Sequence, residues 1–96
     1  MPAATRLGDI CTGHGCFPPR PSVTGSANVV INGKPAVKMG DMYMSHGCSN
    51  CPPHPGSLAG GSSSVVINGS PAGRVGDSIS CGGSVAMGSA DVFIGG

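Results

Sequence analysis

Short apolar blocks and turn-forming residues alternate along this chain, and the blocks recur. Val29-Val30-Ile31 is followed by Asn32-Gly33, then Pro35-Ala36, then Gly40-Asp41. Val65-Val66-Ile67 is followed by Asn68-Gly69, Pro71-Ala72 and Gly76-Asp77, each displaced by 36 residues from its counterpart. A fixed period decides the architecture and is read before anything else. Each apolar block is too short for a helix and has the β-branched content of a strand. Asn-Gly after such a block predicts a hairpin, because both residues tolerate the positive φ of a type I′ turn. Pro35 and Pro71 then fall at the start of a return strand, where a missing N–H matters least. The expected fold is all-β, built from short hairpins, with no helix longer than about two turns.

The two ends complete the pattern. Val92-Phe93-Ile94-Gly95-Gly96 matches the first half of the unit, and Ala3-Ala4-Thr5-Arg6-Leu7-Gly8-Asp9 matches the second. Joined, they make a third unit, split across the termini. The chain therefore reads as one domain over residues 1–96, pseudo-threefold and closed, with residues 92–94 beside residues 4–7. Between the units run unequal connections at roughly 10–27, 42–63 and 78–90, and these hold every His and Cys.

Composition limits what such an object can do. No Trp, one Tyr and two Phe leave a thin core of Val, Ile, Ala and Met. Gly and Pro number 18 and 9 of the 96 residues, and only the regular repeat argues against a low-complexity chain. Five basic and four acidic residues give a net charge of +1, which offers nucleic acid no electrostatic footprint. No signal peptide or membrane-spanning run is present, so synthesis in the cytoplasm is expected. A core this small is commonly supplemented by a metal or by docking onto a partner.

The charges follow the threefold pattern. Arg6, Lys38 and Arg74 each precede Asp9, Asp41 and Asp77 by three residues. The aspartates suit turn capping. The pairs read either as solvated surface contacts of little energetic consequence or as a polar ring on one face. Nothing pairs with the carboxylates to make a catalytic dyad, Glu is absent, and no enzymatic activity is expected.

The connections carry candidate metal ligands. His14 and His46 each stand five residues after their Asp; in the third unit Gly82 takes that place, with Cys81 beside it. His54 lies in Cys51-Pro52-Pro53-His54-Pro55. Around a threefold axis His14, His46 and Cys81 would converge, and His54 would complete four ligands. Three imidazoles and a thiolate suit a closed, tetrahedral, structural zinc. Other arrangements are open. Cys48-Ser49-Asn50-Cys51 could join Cys11 and Cys16 in a Cys₄ site. Cys16 and Cys48, each seven residues after its Asp, could form a disulfide outside the cytoplasm. Buried free thiols would act as small hydrophobes.

The segments at 3–9, 35–41 and 71–77 resemble the Pro-Ala-Ala-Arg repeat of the PAAR family, with Lys38 in place of Arg and Gly73 interrupting the third copy. The resemblance covers the whole chain. It implies a small cone of β-hairpins whose base caps a trimeric β-helical spike, one copy per trimer. It implies a vertex sharpened around one zinc held by His14, His46, His54 and Cys81. Such tips arm contractile injection machines, so the implied role is a structural one in membrane piercing, with transient contact to the target membrane. The implied location is a phage virion, at the baseplate tip, or secretion through a type VI apparatus; absence of a toxin extension favours the phage. The extra cysteines have no part in that picture. The competing reading is a cytoplasmic zinc-binding interaction module that uses the Cys48–Cys51 pair.

Overall fold

Each Asn-Gly turns the chain. Asn32 and Gly33 have φ of 55° and 79°, and Asn68 and Gly69 have 52° and 83°, the pair of positive angles that a type I′ turn requires. The computed structural model describes residues 1–13, 19–48, 51–80 and 82–95, with 46–48 and 51–55 described by backbone alone. Strand β1 (Val30–Ile31) pairs with β2 (Lys34–Pro35), and β3 (Met42–Cys48) with β4 (Cys51–Ser57). Strand β5 (Val66–Ile67) pairs with β6 (Ser70–Pro71), and all three pairs are antiparallel. No helix occurs among the described residues.

The third hairpin is assembled from the chain ends, as the split repeat predicts. Ala3 faces Phe93 across an antiparallel bridge. The Ala4 N–H donates to the Val92 carbonyl at 2.9 Å, repeating the bonds from Ala36 to Val29 and from Ala72 to Val65. The Ile94 N–H donates to the Pro2 carbonyl, also at 2.9 Å.

Three units then close on one another. Arg6 faces Ala36, Lys38 faces Ala72, and Arg74 faces Ala4. At the centre the Val37 N–H donates to the Thr5 carbonyl at 3.1 Å, Gly73 to Val37 at 2.9 Å, and Thr5 to Gly73 at 3.2 Å. Each unit donates to one neighbour and accepts from the other, so the cycle exists only when all three are present. Closure also removes free strand edges from the interior of the ring.

Strand alternation turns Ile31 inward and Val30 outward, and the core forms in two layers. The first is threefold: Ala4, Ala36 and Ala72 with Ile31, Ile67 and Ile94. The second draws on the connections and is irregular: Cys11, Val37, Tyr43, Leu58, Ile79 and Val85. Gly73 shows why. It occupies the place of Thr5 and Val37, and a Cβ there would lie 2.6 Å from Leu58 Cδ2 and 2.9 Å from the Val37 carbonyl oxygen. Leu58 fills the space that a side chain at 73 would take. Completing the repeat with Gly73→Val should therefore destabilise the fold by about 1–3 kcal/mol through overpacking. Urea titration should show a lower midpoint, partly recovered when Leu58→Ala is added. An unchanged midpoint would mean that the Leu58 contact is slack.

The charge pairs are neither solvated nor loosely held. The side chains of Asp9, Asp41 and Asp77 are 2%, 9% and 11% exposed. Each accepts its own unit's backbone N–H, from Arg6, Lys38 or Arg74, at 2.8 Å. Each also binds the same residue's side chain, at 2.9, 3.1 and 2.9 Å. The aspartates thus cap turns whose glycines, Gly8, Gly40 and Gly76, have φ of 91°, 96° and 94°. The hydrogen bond to Asp9 holds the Arg6 guanidinium above its ordinary pKa, and Asp77 does the same for Arg74.

The guanidinium groups reach further than their own unit. Arg6 Nη1 donates to Asn32 Oδ1 at 3.1 Å and Nη2 to the Gly88 carbonyl at 3.4 Å. Arg74 Nη1 and Nη2 donate to the carbonyls of Gly95 and Gly61 at 3.3 and 3.2 Å. Each Arg therefore ties its turn to the tip of the next hairpin. The Lys38 ammonium has no fork and binds Asp41 at 3.1 and 3.2 Å. Lys38→Arg should place the same fork against Asn68 and the Gly25 carbonyl. Gaining about 1 kcal/mol from such bonds should raise Tm by about 4–8 °C at this chain length. A melting curve that stays put or falls would show the second unit too distorted to accept the fork.

Candidate functional site

The longest connection, 42–63, is itself a hairpin. β3 and β4 have seven residues each, longer than any other strand. β4 carries three prolines, yet none of them occupies a paired position. The register sets Met42 against Ser57, Tyr43 against Gly56, His46 against His54 and Cys48 against Cys51, with shifts on both sides of His46. Pro52, Pro53 and Pro55 fall between these pairs, at places that need no N–H donor. A two-stranded sheet has only edge strands, where proline is tolerated.

Both neighbouring connections brace this hairpin. On one side the Met44 N–H donates to the Pro21 carbonyl and the Val23 N–H to the Met42 carbonyl, both at 2.9 Å. On the other the Ser80 N–H donates to the Ser57 carbonyl at 2.8 Å, and the Ser57 N–H to Ser80 Oγ at 3.0 Å. The first and third connections join directly: Cys11 faces Val85, the Thr12 N–H donates to the Ser84 carbonyl at 2.8 Å, and the Ser84 N–H to Thr12 Oγ1 at 3.0 Å. Beneath them lies the second core layer, where burial holds the Tyr43 hydroxyl well above its usual pKa.

Against this frame the four proposed ligands divide. His46 and His54 stand directly opposite one another in the β3–β4 ladder, a placement that counting from the aspartates did not reveal. His14 follows Thr12 by two residues and Cys81 follows Ser80 by one. His14, Cys81 and Cys16 lie outside the described residues, as do the side chains of His46, His54, Cys48 and Cys51. Among the described residues no three His, Cys, Asp or Glu gather as a metal cluster. Cys11 is a buried free thiol whose sulfur accepts the Arg20 N–H at 3.4 Å. It packs as a small hydrophobe in the second layer.

A second candidate surface lies on the outer side of the repeat strands. Val30, Val66 and Phe93 occupy equivalent positions and are 64%, 66% and 51% exposed. Their sequence neighbours Ile31, Ile67 and Ile94 are buried, so the exposure follows from strand alternation. Three exposed apolar side chains thus stand at matched places on a closed ring. Exposed apolar surface of this kind marks an interaction site.

Between the units runs a seam of serines that the repeat as first delimited missed. Ser26, Ser62 and Ser89 each accept, at 2.9 Å, the N–H of the residue three ahead: Val29, Val65 and Val92. Each hydroxyl donates in turn to the adjoining hairpin tip, at Asn68, Gly95 and Asn32. The preceding glycines allow this approach: a Cβ at Gly61 would meet Pro71 Cβ at 2.8 Å, and one at Gly88 the Ala4 carbonyl at 2.6 Å. The unit thus begins at Gly-Ser, four residues before the apolar block. The recurring pairs Gly25-Ser26, Gly61-Ser62 and Gly88-Ser89 were the available signal.

Residues 43–87, from β3 through the second full unit and into the third connection, match the family model described as the PAAR motif. No curated protein matches the chain. PAAR motifs are found in the spike-tip proteins of contractile injection machines. The chain thus carries a PAAR motif over residues 43–87, within a threefold ring whose similar segments lie at 3–9, 35–41 and 71–77.

Proposed function

We propose that this chain, over residues 1–96, is the tip of a membrane-piercing spike, with its ring of repeat strands capping a trimeric β-helical protein. The observation that supports this most is the trio Val30, Val66 and Phe93, equivalent and exposed on a closed threefold ring. One chain can thereby meet three identical chain ends and cover strand edges that would otherwise stay open. On the opposite side, His14, His46, His54 and Cys81 would hold one zinc. The facing register of His46 and His54, and the bonds that join the connections at Thr12–Ser84 and Ser57–Ser80, support that donor set. Zinc bound there would cross-link the three connections and supply rigidity that a small core lacks. Sheath contraction would then drive the tip through the target envelope, from a phage tail baseplate or a type VI apparatus.

Native mass spectrometry with the machine's trimeric spike protein tests the cap. One copy of this chain per three spike chains is expected, and Val66→Asp should weaken the complex at least tenfold. A one-to-one or three-to-three complex would rule the cap out. The interaction-module reading is separated by zinc content: His54→Ala should lose the metal and Cys51→Ala should keep it.

A further inference from the structure

Cys48 and Cys51 are opposite partners at the far end of the β3–β4 ladder, with Ser49 and Asn50 between them in sequence. Directly opposed residues of an antiparallel pair have Cα atoms about 4.5–5.5 Å apart. A disulfide spans about 4.4–6.8 Å between Cα atoms, so this register brings the two cysteines within bonding reach. The ladder beneath them is held at both flanks by the Met44–Pro21 and Ser80–Ser57 bonds. Pro52 and Pro53, next to Cys51, fix φ near −65° and leave the end of β4 little freedom to slip. Neither cysteine is needed for the His₃Cys set, which leaves the pair without a role in the capping function.

We propose that Cys48 and Cys51 form a reversible disulfide that staples the end of the β3–β4 hairpin when the chain passes from a reducing to an oxidising medium. The co-reactant is a small-molecule disulfide such as oxidised glutathione. One cysteine thiolate attacks it and expels one glutathione thiolate, leaving a mixed disulfide. The second cysteine attacks the protein sulfur of that intermediate, forming the Cys48–Cys51 bond and expelling the second glutathione. The two thiol protons end on the two glutathione thiolates, so two electrons pass from the cysteine pair to the oxidant. The proposal stands apart from the zinc assignment. It also differs from the Cys16–Cys48 disulfide that the repeat offsets allow, because the register gives Cys48 a nearer partner.

The full chain, equilibrated in reduced or oxidised glutathione, alkylated and cleaved with trypsin, gives the test. Cleavage after Lys38 and Arg74 releases residues 39–74, which hold Cys48 and Cys51 and no other cysteine. From oxidised glutathione this peptide should emerge unalkylated and lighter by two hydrogens than the dithiol form. From reduced glutathione it should carry two alkyl groups. Two alkyl groups under both conditions, a retained glutathione, or a cross-link to the peptide bearing Cys16 would each overturn the proposal. So would protection in reduced buffer that a chelator abolishes, since the pair would then bind metal. The double variant Cys48→Ser, Cys51→Ser should keep its zinc content unchanged. A wild-type chain that forms the disulfide yet binds no zinc would sink the zinc assignment and leave the staple standing.

Discussion

Deleting residues 92–96 should unfold the whole ring, not shorten it. The deletion removes Ile94 from the threefold core layer and the Val92 carbonyl that accepts the Ala4 N–H. It also removes the Gly95 carbonyl that takes Ser62 Oγ at 2.6 Å and Arg74 Nη1 at 3.3 Å. Losing one buried Ile side chain alone costs about 2–5 kcal/mol, against a total stability of about 5–15 kcal/mol for an ordinary domain. Without its outer strand the Ala3–Thr5 segment loses the pairing that sets its place in the central cycle, so Val37 loses the acceptor for its N–H and Gly73 the donor to its carbonyl. Circular dichroism should show no cooperative melting transition for the truncated chain. A transition within a few degrees of the intact chain would mean that the terminal unit is an appendage. Circular permutation offers the complement: joining residue 96 to residue 1 through a short linker and opening the chain near Ser63 should preserve the fold, because residues 92–94 already pair with residues 2–4.

His46→Ala should remove the metal and most of the order at the connection end. If zinc is held as proposed, the three remaining ligands leave the fourth position to water, and zinc content should fall well below one ion per chain. A loss on the order of 3 kcal/mol, modest for a structural zinc, corresponds to a fall in Tm of about 12–24 °C. The variant should keep its threefold base, since the central cycle and the Ala-Ile layer do not involve residue 46. Spike binding should therefore weaken without disappearing. Elemental analysis with melting curves decides it: an unchanged zinc content in His46→Ala would remove that residue from the site.

The repeating part of this molecule was legible because its causes are local. Asn32-Gly33 and Asn68-Gly69 specify their turns by backbone chemistry alone, and matched offsets carry the same geometry to the chain ends. Where neighbours from distant sequence decide the outcome, the pattern was silent. Gly73 looked like a flaw in the third unit until Leu58, fifteen residues earlier, was found occupying its side-chain volume. The pairs at Asp9, Asp41 and Asp77 read equally as solvated contacts or as a polar ring, because nothing in a short motif reveals that three turns will pack against one another. The pairing at the connection end was less legible. Offsets from the aspartates singled out His14 and His46, but the opposition of His46 and His54 depends on a proline-rich strand whose pairing skips its prolines. That strand resembles a loop in composition and becomes a strand only through its partner.

The split unit also governs when this protein can fold. Residues 2–9 leave the ribosome well before residues 92–94, the strand that pairs with Ala3 and Ala4. At about 5–20 residues per second, the early segment waits several seconds with its pairing groups unmet. The second and third units to be synthesised can join through the Gly73–Val37 bond, but the cycle stays open until Val92 and Ile94 arrive. Contacts between the two ends of a chain are the slowest to form, because loop closure must precede any stabilisation from them. Folding of the ring is thus tied to the synthesis of residues 92–94. A ribosome stalled before residue 92 would hold an open, two-unit fragment with exposed strand edges, and the cell's quality-control machinery would meet it as an aggregation-prone chain.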